Sequence, residues 1–545
     1  EETLTGWGPE IVSKLISELR NESFQFSKSR TTNIPKPQGG QRGLKIAPPR
    51  DKIIQRIITD ILEAIYEPSF SSHSFGFRQN LGCHDALQYI KKKYQGTRWF
   101  IEGDIAKCFD TIDHHILIGI IRRRIKDERF IRLIWKTLRA GYLDAFKVPQ
   151  DCLIGTPQGS IVSPILCNIL MNEFDKYMED TIIPSYNRGL ARRQPPEYKR
   201  AIANAYSAMK KHQKTKNPTD LTKSKEYRAI AQSMPSTDTQ DPNFRRLYYT
   251  RYADDWIVGF AGPHSEALEI RELIRSFLAK LNLELNLEKT TITKGTEGCI
   301  FLGTHIHVPL NEERFKKHVK YKSRANLGVR LNAPLKRVIN KLATAGYCNK
   351  DGFPTPRMSL YAADKDEIIS YYTDVYRGIL NDYSFADNYV RLANSVFNIL
   401  RNSAAKVLAA KLKLRTVRQV LLKYGPLLGK REAKHLPTHK ELDSRKHLFR
   451  LGGGVSRIPL FRKASLTIRI KDIACAICGS TYKVEMHHIR MLKDLNNKTD
   501  PISKAMAARK RKQIPLCKVH HTAQHVNLNR IRRAAMKVEN KNIST

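Results

Sequence analysis

Two adjacent aspartates, Asp254 and Asp255, stand in the segment RYADDWIVGF (251–260), between two runs of residues that favour β-strands. Neighbouring carboxylates repel each other, so a cation is needed close by to neutralise them. A third aspartate, Asp104, ends another apolar run, WFIEGD (99–104). If the two runs are neighbouring strands of one sheet, three carboxylates converge, and their oxygens are the ligands that Mg²⁺ prefers.

A carboxylate cluster of this kind is suited to phosphoryl transfer. Two Mg²⁺ ions held about 3.5–4 Å apart activate a 3′-hydroxyl and stabilise a leaving pyrophosphate. The sequence therefore predicts a metal site at the aspartates, and a solvated Asp-Asp turn is the alternative interpretation of the pair taken alone.

The C-terminal region holds a second pattern of chemically active residues, in CAIC (475–478), VEMHHI (484–489) and CKVHHTAQH (517–525). Four residues have the spacing of a tetrahedral zinc site. A purely structural site does not need the remaining histidines, which indicates a further role for them. The four candidate zinc ligands are Cys475, Cys478, Cys517 and His520.

The sequence around these residues predicts the elements that position them. The predicted elements are a hairpin at 34–46, a segment at 98–110 that begins as a buried strand and ends polar, a loop and amphipathic helix within 150–175, two strands joined by a turn at 247–262, and a helix at 265–281. Residues 186–245 are polar and basic, which predicts an insertion or a mobile loop. Residues 325–420 are helical in pattern, with apolar residues near helical spacing at Leu392, Val396, Leu400, Val407 and Leu408.

Composition limits the class of protein. The 545 residues predict about three or four domains, and a net charge of +43 favours nucleic acid over an acidic membrane surface as the partner. No run reaches the ~18 apolar residues of a membrane span. The nine cysteines do not form the framework of a disulfide-rich secreted protein, which favours a reducing compartment.

The stretch Tyr-Ala-Asp-Asp (252–255) resembles the Tyr-x-Asp-Asp box of reverse transcriptases. Other blocks of that family follow in family order: Asp104 with Phe109, Gln158 with Gly159, LELNLEKT (283–290) and FLG (301–303). Upstream, residues 34–55 and FSSHSFGFRQNLGCHDAL (70–87) resemble the fingers blocks of the reverse transcriptases encoded within group II introns. The resemblance covers nearly the whole chain.

The resemblance implies an α+β right-hand polymerase with an α-helical thumb and a small zinc-binding ββα HNH domain. The implied regions are fingers at 1–97, a palm at 98–310 with the basic insertion at about 186–245, a helical thumb or maturase domain at 311–420, a basic DNA-binding segment at 421–470, and an HNH endonuclease-like domain at 471–545. For the basic segment, a charged linker is the alternative.

Roles at the polymerase site follow from the resemblance, with Asp104, Asp254 and Asp255 as ligands of two Mg²⁺ ions. Phe109 would close over the sugar and favour dNTPs, with an ordinary core phenylalanine as the alternative. The other implied nucleotide-binding residues are Lys36 and Arg42 on the triphosphate, the backbone of Ile105, Gln158 on the nascent base pair, Lys289 (or a surface role for it), and, more weakly, Arg30. Gly43 and Lys45 depart from the family pattern of Pro and Gly, which affects the expected shape of the hairpin.

In the C-terminal region, the resemblance implies a divalent ion held by His487, His521 and His525, with His488 as general base and Glu485 as an orienting residue. His520 stands where the family usually has Cys, and Lys510 stands where the family has a central Asn. A zinc-stabilised DNA-binding module without cutting activity is the alternative.

The helical region interleaves aromatic and basic residues, which suits RNA. A helical bundle with its tyrosines in the core is the alternative. The candidate RNA contacts are Tyr376, Arg377, Arg401, Lys406 and Lys411.

The resemblance implies a group II intron-encoded protein that binds its intron lariat RNA, assists splicing, nicks target DNA and copies the intron from dNTPs during retrohoming. It implies no membrane partner, and dimerisation is open. A mitochondrial matrix location is expected, with the bacterial cytoplasm as the alternative. Two other functions stay open, a splicing factor with idle catalytic sites and a reverse transcriptase of a branch not tied to an intron.

Overall fold

The computed structural model describes residues 9–35, 40–143, 149–150, 154–157, 159–238, 241–309, 315–317, 322–324, 328–429, 434–443, 445, 448–451, 475–480, 484–488, 513–524 and 526. The chain divides into two compact units, one formed by residues 1–59 with 69–455 and the other by residues 60–68 with 456–545. Within the described residues, no helix has both the length and the apolar character needed to cross a membrane.

The N-terminal part of the chain contains helices and a hairpin. The elements are α1 (Pro9–Arg20), β1 (Ser29–Pro35), β2 (Gln41–Ile46), α2 (Pro49–Tyr66) and α3 (Cys83–Lys93). The antiparallel pairing of β1 with β2 runs from Arg30↔Ile46 to Pro35↔Gln41, which confirms the predicted hairpin and extends it upstream. Two short strands, β4 (Tyr142–Leu143) and β5 (Pro149–Gln150), complete a sheet of order β2-β1-β4-β5.

An antiparallel sheet of order β6-β7-β3-β8 forms the centre of this unit, with β3 (Trp99–Gly103), β6 (Leu247–Tyr252), β7 (Asp255–Phe260) and β8 (Thr291–Lys294). Phe174 packs on one face of the sheet, where its ring meets those of Tyr249 and Trp256. The surrounding helices are α4 (Cys108–Thr111), α5 (His114–Arg124), α6 (Glu128–Arg139), α7 (Ser163–Tyr177) and α11 (His264–Lys280). The predicted strands, turn and helices are confirmed here.

The segment predicted as an insertion or mobile loop contains a helical hairpin. A π-helix at Met178–Ile182 and α8 (Ile183–Tyr186) lead to α9 (Pro196–Thr215) and α10 (Pro218–Ser233). Their packed residues are small, among them Ala205, whose carbonyl accepts a hydrogen bond from the Ser224 hydroxyl at 2.9 Å. The loop interpretation was therefore wrong for these residues, because alanines rather than large apolar residues form the contact.

The C-terminal half of the first unit is mostly helical. A three-stranded sheet of order β13-β10-β9 precedes it, with a separate hairpin of β11 and β12. The bounds are β9 (Cys299–Phe301), β10 (Thr304–His307), β11 (Phe315–Lys317), β12 (Lys322–Arg324), β13 (Arg330–Asn332), α12 (Leu335–Thr344), α13 (Lys365–Asp382), α14 (Tyr389–Lys411), α15 (Val417–Tyr424) and α16 (His439–Leu442). The five apolar residues predicted at helical spacing in α14 are all buried.

One hydrophobic core runs from α3 through the central sheet to α14 and beyond. Leu428 and Leu436 belong to it and are fully buried, and the Ser384 hydroxyl donates to the carbonyl of Leu448 at 2.8 Å. The described residues of the predicted basic segment therefore pack against the helical region through Leu428, Leu436 and the Leu448 carbonyl, rather than forming a linker, and residues 452–470 lie outside the described residues.

The second unit contains a turn at Cys475–Ser480, two antiparallel strands, β14 (Val484–His488) and β15 (Gln513–Cys517), and helical residues at 518–524. Within residues 475–524, the described apolar core is small, with Leu516 and the cysteines Cys475 and Cys517 buried and Ile514 packed against them. This order of two strands followed by helical residues agrees with the predicted ββα arrangement.

His84 on α3 joins distant parts of the first unit and makes its stability depend on pH. Its Nε2 donates to the Asp382 carbonyl at 2.9 Å, and its Nδ1 accepts from the Arg450 N–H at 3.0 Å, so the neutral ring fits both partners. Burial lowers the pKa of His84 below the ordinary value of 6.5. The stabilisation is therefore complete above pH 6.5 and declines as the pH falls through the lowered folded pKa.

We expect His84→Phe to lower the free energy of unfolding by about 1–2 kcal/mol above pH 6.5, because two hydrogen bonds are lost while the ring stays. Urea unfolding of the variant should depend less on pH below that value than unfolding of the wild type. His115→Phe is the control, since that residue lies elsewhere in the same unit, on α5. Equal pH dependence in His84→Phe and wild type would contradict the assignment.

Candidate active site and metal centre

The three aspartates meet at one edge of the central sheet. β3 and β7 are antiparallel neighbours whose register ends at the pair Gly103↔Trp256, so Asp104 and Asp255 lie at the same end of the strand pair. The negative charge of Asp104 acts on Asp255 and on Asp254, which shows that the three side chains are close together. Asp254 belongs to the two-residue loop between β6 and β7, where Tyr252 pairs with Asp255. The prediction that the two strands are neighbours is confirmed, and the three carboxylates form one cluster.

The electrostatics of the cluster favour a bound cation. Desolvation, followed by the charges of Asp254 and Asp104, raises the pKa of Asp255 to about 6, although the residue lies at the exposed rim of the site. Desolvation is also the main cause that raises the pKa of Asp254. Both shifts express the cost of burying negative charges close to one another, a cost that a divalent cation offsets.

Lys289 is part of the same site, although its own side chain is largely exposed. Its Nζ lies 2.6 Å from Asp104 Oδ2, and this hydrogen bond raises the pKa of Lys289. Lys289 therefore lies beside the carboxylate cluster, and its contact with a nucleotide stays a prediction. An ammonium group on Asp104 partly neutralises the cluster, and a metal ion at the same oxygen would compete with it.

Ile105 and Phe109 follow Asp104 on the chain. Ile105 pairs with Leu285 in an isolated bridge, in which the hydrogen bonds are made by the neighbouring residues. The Ala106 N–H donates to the Glu284 carbonyl and the Asn286 N–H donates to the Asp104 carbonyl, both at 2.9 Å. The carbonyl of Ile105 is thus left out of this pairing.

Phe109 is half-buried beside the exposed Phe77, with ring centroids 6.3 Å apart. A phenylalanine in the core would be fully buried, so the position of Phe109 fits a residue that faces a ligand better than it fits the alternative.

The hairpin residues lie near the cluster. Arg42 is exposed on β2, and its positive charge acts to lower the pKa of Asp254, against the larger effect of burial. Gly43 and Lys45 pair regularly with β1, so the departure from the family pattern does not disrupt the strand. Arg30 is exposed on β1. Lys36 and Gln158 lie outside the described residues.

Sequence reasoning missed Glu102, a fourth carboxylate at this edge of the sheet. Burial, with the charge of Asp255 as the next cause, raises the pKa of Glu102 to about 7. The signal was present in the sequence, because residues 102 and 104 of one strand point to the same face.

A buried pair of opposite charges beneath the β6–β7 turn was also missed. Arg251 and Asp175 are both fully buried, with Arg251 Nη2 2.6 Å from Asp175 Oδ2. Arg251 is the one charged residue of its strand, LYYTRY, which was a signal that a partner existed, but the sequence does not identify the partner.

The Cys/His pattern of the second unit forms a metal-binding geometry. The ligand atoms of Cys475, Cys478, Cys517 and His520 all lie within 4.8 Å of one another. The Sγ atoms of Cys478 and Cys517 are 3.8 Å apart, and His520 Nδ1 lies 3.7 Å from Cys475 Sγ and 3.2 Å from Cys517 Sγ. Tetrahedral Zn–S bonds of about 2.3 Å place two sulfurs about 3.8 Å apart, so the spacing fits such an ion.

The other predicted residues of this region lie on β14, among the helical residues after β15, or outside the described residues. His487, His488 and Glu485 lie on β14, where His487 pairs with Ile514. His521 lies among the helical residues after β15, at the position that follows His520. His525 and Lys510 lie outside the described residues. A second metal site formed by the histidines stays a prediction.

The predicted RNA contacts differ in their exposure. Tyr376 is fully buried in the helical core, with its hydroxyl donating to the Ala393 carbonyl at 3.2 Å. Its proposed contact with RNA was therefore wrong, and the alternative of a core tyrosine holds. An alternation of aromatic and basic residues does not show which side of a helix each residue occupies.

The basic candidates in this region stay near the surface. Arg377 is exposed and pairs with Asp374 at 3.0 Å. Lys406 donates to the Pro354 carbonyl at 2.7 Å, and Lys411 lies 3.4 Å from the Tyr361 carbonyl. Arg401 is half-buried, with its guanidinium 5.7 Å from the Phe397 ring centroid. Arg377 is the candidate most available to a polyanion.

Parts of the chain match three known protein families. A family described as reverse transcriptase (RNA-dependent DNA polymerase) matches residues 34–192 and 221–306. Type II intron maturase matches residues 327–469, and an AI2M/AI1M-like HNH endonuclease matches residues 475–521.

Two curated relatives span almost the whole chain. The COX1/OXI3 intron 1 protein of Saccharomyces cerevisiae is 37% identical over 96% of the chain and 65% of its own length. The group II intron-encoded protein LtrA of Lactococcus lactis is 32% identical over 96% of the chain and 90% of its own length. The chain thus spans about two thirds of the length of the yeast relative.

Among solved structures, the chain is similar to telomerase from Candida albicans in complex with a fragment of telomeric RNA. The superposition covers 75% of this chain and 68% of the telomerase chain. The overlap has a TM-score of 0.35 and 12% identity.

Proposed function

The chain belongs to the group II intron-encoded proteins, and we propose that it is an RNA-directed DNA polymerase that binds its intron RNA, assists splicing and copies the intron into DNA. The observation that carries the polymerase assignment is the convergence of Asp104, Asp254 and Asp255 at one sheet edge. The family is supported by the 32% identity to LtrA over 90% of that protein.

The three aspartates would hold two Mg²⁺ ions, which activate a primer hydroxyl and stabilise the leaving pyrophosphate. The hydrogen bond to Asp104 keeps the ammonium group of Lys289 beside the cluster. Once a metal ion binds that Asp104 oxygen, the ammonium group would be available to a nucleotide phosphate. Arg42 and Lys36, on or beside the hairpin, would bind the triphosphate. The backbone of Ile105 would contact the nucleotide, and Gln158 would contact the new base pair.

Phe109 would lie against the sugar of the incoming nucleotide. Its half-buried position beside Phe77 leaves ring surface available, as a residue that excludes a 2′-hydroxyl requires. This arrangement favours dNTPs over ribonucleotides.

The finer architecture that we propose is a right-hand polymerase, with fingers at 1–97, palm at 98–310, helical thumb at 311–420, a basic DNA-binding segment at 421–470 and a zinc-binding ββα domain at 471–545. The central antiparallel sheet and the helical α12–α15 region support the palm and the thumb. The tetrahedral spacing of Cys475, Cys478, Cys517 and His520 supports zinc.

We propose that the C-terminal domain nicks target DNA, with His487, His521 and His525 around a divalent ion and His488 as general base. The HNH endonuclease match to residues 475–521 supports this role. Lys510, in place of the family asparagine, makes strand cleavage the step to measure first in this domain.

The proposed partners are intron lariat RNA, target DNA and dNTPs, with Arg377, Arg401, Lys406 and Lys411 as RNA contacts. We propose the mitochondrial matrix as the compartment, following the yeast COX1/OXI3 intron relative, and the bacterial cytoplasm as the alternative that LtrA represents.

Primer extension on an RNA template, with dNTPs and Mg²⁺, tests the polymerase. We expect extension that stops when Mg²⁺ is removed and that is much weaker with ribonucleotides. A folded chain that binds intron RNA but does not extend the primer would instead be a splicing factor with an idle site. Selective co-purification with one lariat RNA separates the intron-encoded branch from other reverse transcriptases.

A further inference from the structure

Arg251 and Asp175 place two full charges under the β6–β7 turn, and neither side chain reaches solvent. Arg251 lies on β6 and Asp175 lies on α7. The contact is bidentate, with Arg251 Nε 2.7 Å from Asp175 Oδ1 and Nη2 2.6 Å from Oδ2. The hydroxyl of Tyr249 donates to Asp175 Oδ1 at 2.8 Å. The carboxylate is therefore fixed by three hydrogen bonds.

The remaining donors of Arg251 extend to the turn itself. Nη1 donates to the carbonyl of Ala253 at 2.7 Å and to Asn168 Oδ1 at 3.2 Å. Ala253 is the residue that precedes Asp254. One guanidinium thus joins α7 to the peptide group that leads into the first aspartate of the pair.

The turn has a backbone conformation that needs such support. Ala253 has φ of +60°, in the left-handed region that alanine rarely adopts. The backbone at Gly76 lies directly against the turn, because a Cβ added to Gly76 would lie 2.2 Å from the Ala253 nitrogen. Asn168 Nδ2 donates to the Gly76 carbonyl at 2.9 Å. The same asparagine therefore connects Arg251 with the segment that packs on the turn.

Stability alone does not account for a charged pair at this place. Two apolar side chains of similar volume often replace a buried ion pair with no loss of stability, because desolvation offsets the attraction of the charges. Apolar side chains do not donate a hydrogen bond to the Ala253 carbonyl. That hydrogen bond is what the pair supplies and a repacked apolar core does not.

We propose that Arg251 is a positioning residue, which Asp175 holds in place and which fixes the Ala253 peptide so that Asp254 and Asp255 present their carboxylates to metal. The proposal rests on the proposed polymerase function, since it assigns those aspartates a metal. It adds a residue that touches neither metal nor nucleotide, and it makes the metal site depend on α7.

The test is the double variant Arg251→Met/Asp175→Leu in the full chain. The matched control is Arg245→Met/Glu266→Leu, which removes a bidentate pair with contacts of 2.8 and 3.3 Å from a position just before β6, at the end opposite to the turn. Two quantities are measured, the binding of Mn²⁺ to the metal-free chain by electron paramagnetic resonance, and kcat and KM for single-dNTP addition. The Mn²⁺ signal that Asp254→Asn removes defines the site.

We expect Arg251→Met/Asp175→Leu to fold, to bind Mn²⁺ about tenfold more weakly at that site, and to lose about 100-fold in kcat with little change in the KM for dNTP, because misplacement by about 1 Å has effects of this size. The control pair should leave both quantities near wild type. A double variant that folds and retains wild-type Mn²⁺ binding overturns the proposal.

If the double variant does not fold, Arg251→Lys provides the test, because an ammonium group keeps the charge opposite Asp175 but lacks the planar fork that also donates to the Ala253 carbonyl. Weaker Mn²⁺ binding and a lower kcat are expected in that variant, and wild-type values of both overturn the proposal. Should the wild-type chain show no polymerase activity, the Mn²⁺ measurement still decides the positioning role, so failure of the proposed function and failure of this inference give different results.

Discussion

We expect Asp254→Asn to abolish primer extension while making the folded chain more stable. Asparagine has the shape of aspartate without its charge, so the backbone of the turn is unchanged and a metal ligand is lost. A bound cation contributes several kcal/mol to the stabilisation of a phosphoryl-transfer transition state, and each 1.4 kcal/mol corresponds to a factor of ten in rate. We therefore expect the rate of extension to fall by at least about 1,000-fold.

The expected gain in stability has a separate cause. Desolvation raises the pKa of Asp254 in the folded chain, and Asp104 adds to the effect, so the charged form is unfavourable there without metal. Removing that charge should raise the melting temperature of the metal-free variant by about 2–4 °C.

The measurement combines primer extension with thermal unfolding in the presence and absence of Mg²⁺. Asp180→Asn, an exposed aspartate in the same unit, is the control and should change neither quantity. A loss of extension together with a lower melting temperature would contradict this explanation, because it would show that Asp254 supports the fold instead of binding metal. Retained extension would show that the cluster is not the polymerase site.

The carboxylate cluster was predictable because each aspartate ends or begins a strand with a strong local pattern. Asp104 follows an apolar run, and Asp254 and Asp255 interrupt two others, so their positions at strand ends follow from the sequence. What the sequence leaves open is whether the strands are neighbours. The register Gly103↔Trp256 answers that question and requires the folded sheet.

The pair formed by Arg251 and Asp175 was not predictable in the same way. The two residues are 76 positions apart, and nothing in the sequence around Asp175 marks it as the partner. The same holds for Asn168 and the Gly76 carbonyl, which are 92 positions apart. Contacts between distant segments depend on how helices pack on the sheet, which local patterns do not determine.

The segment at 186–245 is the opposite case. Its sequence contains local signals for helix starts, but its polar composition favoured the interpretation as a loop. Pro196 and Pro218 begin the two helices, and the side chain of Asn217 caps the second by accepting from the Thr219 N–H at 3.0 Å. These are ordinary signals of a helix start. The polar composition concealed them because the helices pack through small residues, and a hydrophobic pattern of large residues is absent.

Removing the metal from the second unit should unfold that unit while the first stays folded. Among residues 475–480, 484–488 and 513–524, the apolar core consists of Leu516 and two cysteines with Ile514, and these residues alone are too few to offset the entropy of folding. A structural zinc ion contributes about 10–16 kcal/mol to folding in small zinc domains. The four proposed ligands therefore supply most of the stability of this unit.

The expected result is measured by hydrogen exchange on the full chain, treated with a chelator or carrying Cys478→Ser. Amides of Gln513–Cys517 should lose protection in both cases, and those of Asp255–Phe260 should keep it. Zn²⁺ should restore the chelated chain and Mg²⁺ should not, because thiolate and imidazole ligands favour zinc. Cys83→Ser, at an exposed cysteine of the first unit, is the control for loss of a thiol. Full protection after verified removal of the metal would show that this unit folds without it, and the cysteines would then need another explanation.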